Sequence, residues 1–167
     1  MHAEAFRFVR MFATNDAIDV IEIGSRDING SVRALFPAAN WIGLDLHSGP
    51  AVDVVCDAEH YQPADKVDLV ICCEVLEHAA NWRELIRVAA SWLRPDGRLI
   101  VTCAAPGREP HSAIDGEHRL LDGEHYENLT ADEVADAMRA AGLGWIEAEQ
   151  VGEDTQAMGW MPGTDTD

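Results

Sequence analysis

The feature that most constrains this chain is a short apolar run, Val20 to Ile23, that carries one acid, Glu22, and breaks at Gly24 into the polar turn Ser25-Arg26-Asp27. An apolar run of this length bounded by turn signals reads as a buried strand. An acid inside such a strand is costly to bury without a role, so Glu22 is expected to support a site. A glycine at the strand's end lets the backbone approach a ligand closely. The next strand-like segment, Trp41 to Asp45, ends in an acid 21 positions after Gly24. A carboxylate there can accept both hydroxyls of a ribose. Strand, glycine turn and acid together point to a nucleoside-bearing cofactor.

The rest of the chain repeats the pattern of strand followed by helix or loop. Glu4 to Phe12 has aromatic and apolar residues at helical spacing, with Phe6, Val9 and Met11-Phe12 expected on one face. Ser31 to Phe36 reads as a short helix stopped by Pro37. Val52 to Cys56 reads as a third strand and Val67 to Cys72 as a fourth, the latter apolar enough to be covered on both faces. Asn81 is expected to cap a helix from Trp82 to Leu93. Arg94-Pro95-Asp96-Gly97 reads as a turn before a fifth strand, Arg98 to Cys103. Thr130 and Glu133 have the spacing of a capping box at the start of a helix that stops at Gly142. Gly144 to Val151 and Thr155 to Trp160 close the chain as two strands joined by Gly152-Glu153-Asp154.

This alternation predicts an α/β fold: a Rossmann-like, doubly wound, mostly parallel seven-stranded sheet with an antiparallel edge hairpin. The expected organisation is a single domain over 1–167, with an N-terminal helix in 1–15, a long loop over 104–128 and a frayed tail at 161–167. Ligands of such sheets bind beyond the carboxyl ends of the strands. Glu22, Gly24, Asp45, Asp57 and Cys73-Glu74 all fall at those ends.

Charge narrows the partners. The chain has 30 acids against 12 Lys and Arg, a formal net charge of −18. Sequence-independent binding of nucleic acid needs a basic face, so none is expected. No run approaches the roughly 20 apolar residues of a membrane span, and the first residues do not read as a signal peptide, so a cytoplasmic location is the expectation. Cys56, Cys72, Cys73 and Cys103 form no C-x-x-C pair and read as reduced thiols inside strands.

Taken in order, Glu-Ile-Gly-Ser at 22–25, Gly-Leu-Asp at 43–45, Cys-Asp-Ala at 56–58, Asp-Leu-Val-Ile-Cys-Cys-Glu-Val-Leu-Glu-His at 68–78 and Leu-Arg-Pro-Asp-Gly-Arg-Leu-Ile-Val at 93–101 resemble the successive motifs of class I S-adenosylmethionine-dependent methyltransferases. The Glu-Val-Leu-Glu-His segment is similar to the small-molecule branch known as methyltransferase type 11. The resemblance covers about residues 18 to 103 and extends more loosely to 160. It implies S-adenosyl-L-methionine as cofactor and a small-molecule methyl acceptor. It also implies that Glu22, Gly24 and Ser25 hold the methionine end, with Cys73 and Glu74 flanking it. Asp45, followed by Leu46, would take the ribose, and Asp57 with Ala58 the adenine. His78 would face the methyl-transfer side or shape its wall. Where the family usually has a second glycine, two residues after the first, this chain has Arg26, which is expected to point away from the cofactor. The absence of G-x-G-x-x-G argues against a dinucleotide enzyme. The alternative function is a non-catalytic module of the same fold.

Outside these motifs the long loop carries His111, His118 and His125, seven residues apart. His118 is the candidate general base, since its side chain ordinarily titrates near neutrality. His78 is equally readable as a structural hydrogen-bonding residue at a helix start. No metal site is expected, with the histidines read as solvated or substrate-facing. Arg108 and Arg119 are candidates to hold an anionic substrate or to pair locally with Glu109 and Glu117. Trp82 is expected in the core, and Tyr126 is a candidate pocket wall.

Overall fold

The computed structural model describes residues 3–163 apart from Asn29 and Gly116. Helix α1 (Ala3–Arg10) precedes β1 (Asp19–Ile23), β2 (Asn40–Asp45), β3 (Val54–Val55) and β4 (Val67–Cys73). Then come α2 (Trp82–Trp92), β5 (Leu93–Ala104), α3 (Ala131–Ala140), β6 (Trp145–Val151) and β7 (Asp154–Trp160). The seven strands form one sheet in the order β3-β2-β1-β4-β5-β7-β6. The first five run parallel, and β7 lies antiparallel between β5 and β6. The α/β class and the antiparallel edge hairpin predicted from the sequence are both present.

The period of two along a strand sorts the apolar residues onto two faces. Ile21, Ile23, Val70, Cys72, Leu99 and Val101 join the cluster under α2 and α3. Val20, Leu69, Ile71 and Ile100 face the other way, with Phe8 and Val9 of α1 and with Val32 and Phe36. Strands β1, β4 and β5 are therefore dry on both sides, which is why they read as nearly unbroken apolar runs. The capping box of α3 is formed: Thr130 Oγ1 accepts the Glu133 N–H at 3.2 Å, and a Glu133 carboxylate oxygen accepts the Thr130 N–H at 3.0 Å.

Several local expectations are corrected. The helix expected over 31–36 is a 3₁₀ turn, Arg33–Leu35; a segment this short, closed by Pro37, cannot nucleate an α-helix. The third strand is only two residues long, because the Asp53 carboxylate turns back to accept the Gly43 N–H at 2.7 Å. Asn81 makes no side-chain cap to α2; its carbonyl instead accepts from Glu84 and Leu85. The stretch Arg94 to Gly97 is absorbed into β5 as an irregularity, with Asp96 at φ 63°. Helix α1 ends at Arg10, so Met11 is 70% exposed, and the buried face is Ala5, Phe8 and Val9. Of the tail expected to fray, Met161 exchanges backbone hydrogen bonds with Asp96 and Gly97, whereas 164–167 lie outside the described residues.

The β1–β2 layer turns on one tight contact. A β-carbon at Gly43 would collide with the carbonyl of Ala51 and with the Arg33 guanidinium. That carbonyl cannot yield easily, since it accepts from Arg33 at 2.6 Å while Gly43's own carbonyl holds the Asp53 N–H. Gly43→Ala should therefore destabilise the fold by about 1–3 kcal/mol, as over-packing does. Urea denaturation read at unchanged slope would show it, and an unchanged midpoint would mean that the 47–53 segment gives way.

Candidate active site

Because β1, β2 and β4 are parallel, their carboxyl ends open on the same edge of the sheet. Winding reverses there, with β2 on one side of β1 and β4 on the other. A cavity of about 800 Å³ lies at this point, within the range of roughly 300–1,000 Å³ usual for small-molecule pockets. The nine residues expected at a cofactor, Glu22, Gly24, Ser25, Asp45, Leu46, Asp57, Ala58, Cys73 and Glu74, all line it, as do His78 and His118.

The turn after β1 is built on Gly24, which adopts φ 72°. Its N–H and that of Ser25 both reach the Leu44 carbonyl, at 2.9 and 3.0 Å. A β-carbon there would fall inside the Val75 side chain, so conformation and space both require glycine. Below the turn Glu22 is 5% exposed, and burial is the main cause that raises its carboxyl to about 7. Arg33 Nε stands 3.6 Å from Glu22 Oε2 and opposes that rise. Glu22 Oε2 and Ser25 Oγ are buried and have no hydrogen-bond partner among the described residues. Native interiors rarely leave such atoms unpaired, and here they flank the cavity.

Asp45 holds the neighbouring loops in place. One oxygen accepts the Arg26 N–H at 3.1 Å and the other the His47 N–H at 2.9 Å. Each oxygen keeps a lone pair for a further donor. Asp57 caps the 3₁₀ turn Ala58–His60 by accepting the Glu59 N–H at 3.0 Å, so its turn-capping role is realised while it also faces the cavity. The Arg26 side chain lines the cavity and lies along Gly49.

On the far side β4 is followed by Glu74, a non-glycine residue at φ 59°. Such a conformation costs of the order of 1 kcal/mol or more. Its carboxylate is held in place as Thr102 Oγ1 donates to it at 2.8 Å and Arg108 at 2.6 Å. Arg108 also reaches Asp154 at 3.2 Å, tying the base of the long loop to the start of β7. The sequence suggested pairing of Arg108 with Glu109 and of Arg119 with Glu117; the ion-pair partners are instead Glu74 and Asp154 for Arg108, and Asp115 at 3.9 Å for Arg119.

Next to Glu74 the structure brings together groups that lie far apart in sequence. The His78 and His111 rings meet edge to face at 4.9 Å, and Tyr126 packs on both. Burial, followed by the neighbouring His111, lowers His78 to about 4. Glu77 is fully buried beside them, and burial raises its carboxyl to about 8. His118 stands exposed at the cavity mouth, and His125 lies apart, 3.4 Å from Glu127. Trp82 is buried as expected, its indole N–H donating to Glu127 at 2.8 Å. Of the cysteines, Cys72 and Cys103 are buried, and Cys56 and Cys73 are partly so.

Sequence reasoning missed Arg33 and Glu77 as parts of this region, and had His111 only as one of three solvated or substrate-facing loop histidines. Arg33 reaches Glu22 only through the fold of the 3₁₀ turn, which no local pattern announces. Glu77 did leave a signal: an acid between Leu76 and the histidine of a segment that must turn into the core.

The family described as a methyltransferase domain matches residues 1–148. The ubiquinone biosynthesis O-methyltransferase of Marinobacter nauticus is 31% identical over 122 residues, covering 68% of this chain and 49% of that protein. The chain spans about half the length of the curated relatives it matches. Among solved structures, the 1,6-didemethyltoxoflavin-N1-methyltransferase of Burkholderia thailandensis, with bound 1,6-didemethyltoxoflavin and S-adenosylhomocysteine, superposes with a TM-score of 0.71 at 17% identity. The match covers 95% of this chain and 78% of that one. The N-methyltransferase NodS of Bradyrhizobium japonicum, in complex with S-adenosylhomocysteine, gives 0.66 at 16% identity, covering 95% and 86%. These structures share the fold.

The buried Glu22 makes a pH prediction. Its folded-state value, about 7, lies above the ordinary 4.5. Between those values the folded chain binds the proton more tightly than the unfolded one, so stability falls as pH rises through the window. Relative to Glu22→Gln, which does not titrate, the parent should lose up to a few kcal/mol between about pH 4.5 and 7. Urea titrations of both proteins across that range would check this; parallel profiles would show that Glu22 titrates normally.

Proposed function

The chain belongs to the methyltransferase-domain family, and on that premise we propose that it transfers a methyl group from S-adenosyl-L-methionine to a small-molecule acceptor. The observation that carries this reading is the Gly24 turn, with Ser25 Oγ beside it lacking a hydrogen-bond partner among the described residues, Glu22 Oε2 held among them only by the Arg33 ion pair at 3.6 Å, and Asp45 across the same cavity. Space, buried polar atoms seeking partners and a row of carboxylates suit a molecule with an amino-acid end, a ribose and a base. When bound, the cofactor supplies a methyl group made electrophilic by the adjoining sulfonium.

The chain's own residues supply position. The Gly24-Ser25 turn and Glu22 receive the amino-acid end, while Cys73 and Glu74 flank it. Asp45 takes the ribose hydroxyls with its remaining lone pairs, beside Leu46. Asp57 and the Ala58 backbone meet the adenine. Val75, His78 and the loop around His111 close the cavity on the acceptor side and keep water from the reacting atoms. His118, exposed at the mouth, is placed to take a proton from an acceptor that enters there. The formal charge of −18 favours a small acceptor over nucleic acid. None of the helices among the described residues is long and apolar enough to cross a membrane, in line with a cytoplasmic location.

Calorimetry with S-adenosylhomocysteine tests this directly. The parent should bind one equivalent, and Asp45→Ala should bind roughly tenfold to hundredfold more weakly, the worth of hydrogen bonds to a charged group. Absence of binding by the parent would leave only the non-catalytic module. Binding unaffected by Asp45→Ala would move the ribose elsewhere.

A further inference from the structure

Beneath the Gly24 turn, three buried polar atoms from three segments lack hydrogen bonds among the described residues. They are Glu22 Oε2 of β1, Ser25 Oγ of the turn and Arg33 Nε of the 3₁₀ turn Arg33–Leu35. Arg33 Nε stands 3.6 Å from Glu22 Oε2. Ser25 Oγ and Arg33 Nη2 both crowd the point where a β-carbon on Gly43 would stand. Buried polar atoms are nearly always hydrogen-bonded, so three in one place make an incomplete group.

Arg33 is held short of a full bond to Glu22. Its Nη2 donates to the Ala51 carbonyl at 2.6 Å and to Asp53 at 2.9 Å, and its guanidinium carbon lies 5.2 Å from the centre of the Trp41 ring. Fixed on that side, the guanidinium presents Nε to Glu22 from 3.6 Å. Two effects on Glu22 therefore oppose each other. Burial disfavours the carboxylate, and the guanidinium favours it. Asp27 of the same turn and Asp53 before β3 add smaller repulsions, and Cys73 of β4 is a thiol that burial keeps neutral. The result is a carboxyl at about 7, so both forms are populated near neutral pH.

We propose that Arg33 is a positioning residue that leaves Glu22 poised between its two forms, so that a ligand ammonium group arriving at the Gly24 turn takes the Glu22 carboxylate as counter-ion and drives one proton out to solvent. On the methyltransferase reading, on which this rests, the amino-acid end of the cofactor lies here. An opposite charge within about 4–6 Å favours the ionised carboxyl. A fully bonded Arg33 would hold Glu22 ionised and leave the ammonium facing a neutralised pair. Without Arg33 the buried acid would stay protonated and offer no charge. The stand-off between the two side chains avoids both outcomes.

Where Glu22 is protonated in the free protein and ionised in the complex, binding releases a proton and tightens as pH rises. With a free-state value of about 7, release should be about 0.9 proton at pH 6, about 0.5 at pH 7 and about 0.1 at pH 8, and affinity should rise about tenfold from pH 6 to pH 8.

Calorimetry of S-adenosylhomocysteine binding at these three pH values, in phosphate and in imidazole buffers, reads both quantities, because the two buffers differ in heat of ionisation. Glu22→Gln, which keeps the side-chain volume and cannot titrate, should release no proton and hold one affinity across the range. Arg33→Gln removes the cation, so the rise in affinity should move to higher pH, and Arg33→Lys should bring it back toward the parent's. 5′-Methylthioadenosine has the nucleoside and the thioether sulfur but no amino-acid end, and should bind the parent without proton release. That comparison uses the parent alone and stands whether or not the variants fold. Release that persists in Glu22→Gln, or that accompanies 5′-methylthioadenosine equally, would assign the proton to another group and overturn the proposal. An unshifted profile in Arg33→Gln would overturn the role of Arg33. S-adenosylhomocysteine binding that ignores pH would sink the proton linkage alone, whereas no binding at any pH would sink the methyltransferase reading.

Discussion

The reversal of winding between β1 and β4 is the constraint on which the rest depends. Both strands are parallel and buried on both faces, so neither can shift without exposing a row of apolar side chains. The chain leaves their carboxyl ends in opposite directions, and a crevice opens between the two departures. The Gly24 turn forms one lip and Glu74 with Val75 the other. Gly24 and Val75 touch across the gap, so the two lips are fixed relative to each other by packing as well as by the sheet.

The electrostatics of the crevice are unusual for so acidic a chain. Glu22, Glu74 and Glu77 all cluster at the ends of two neighbouring strands, where water is scarce. Arg33 stands beside Glu22, and Arg108 pairs with Glu74. Glu74 is held by an ion pair and a hydroxyl, while Glu22 and Glu77 each keep an oxygen without a hydrogen bond among the described residues and a carboxyl raised by burial. Stability alone would replace such acids with leucine or glutamine. Their presence marks a place where folding energy is given up for binding.

Much of this was legible in the sequence, for identifiable reasons. Val20 to Ile23 and Val67 to Cys72 announce central strands because burial on both faces leaves no polar alternation. Glu22, Gly24, Asp45 and Asp57 stand out because each interrupts an apolar pattern at a strand end. What stayed hidden depended on contacts between distant segments. The Arg33–Glu22 approach requires a 3₁₀ turn where helical spacing suggested an α-helix. The Arg108 bridge to Glu74 and Asp154 requires β5 and β7 to be antiparallel neighbours. Seven-residue spacing drew attention to His111, His118 and His125 as a set, whereas only His111 meets His78. Sequence spacing in a loop without regular structure carries no geometry.

The Arg108 bridge divides the long loop into two parts of different character. Its base, at Arg108, is clamped to the end of β4 and the start of β7, and Asn128 returns to the Arg108 carbonyl at 3.0 Å. Between these anchors, at the apex, Ile114, Asp115 and residues 117–120 are exposed. Substitutions and insertions at the apex are thus insulated from the scaffold. A lineage built on this chain can change what it admits at the mouth by rewriting a few surface positions, while the half of the crevice behind the clamp is inherited intact.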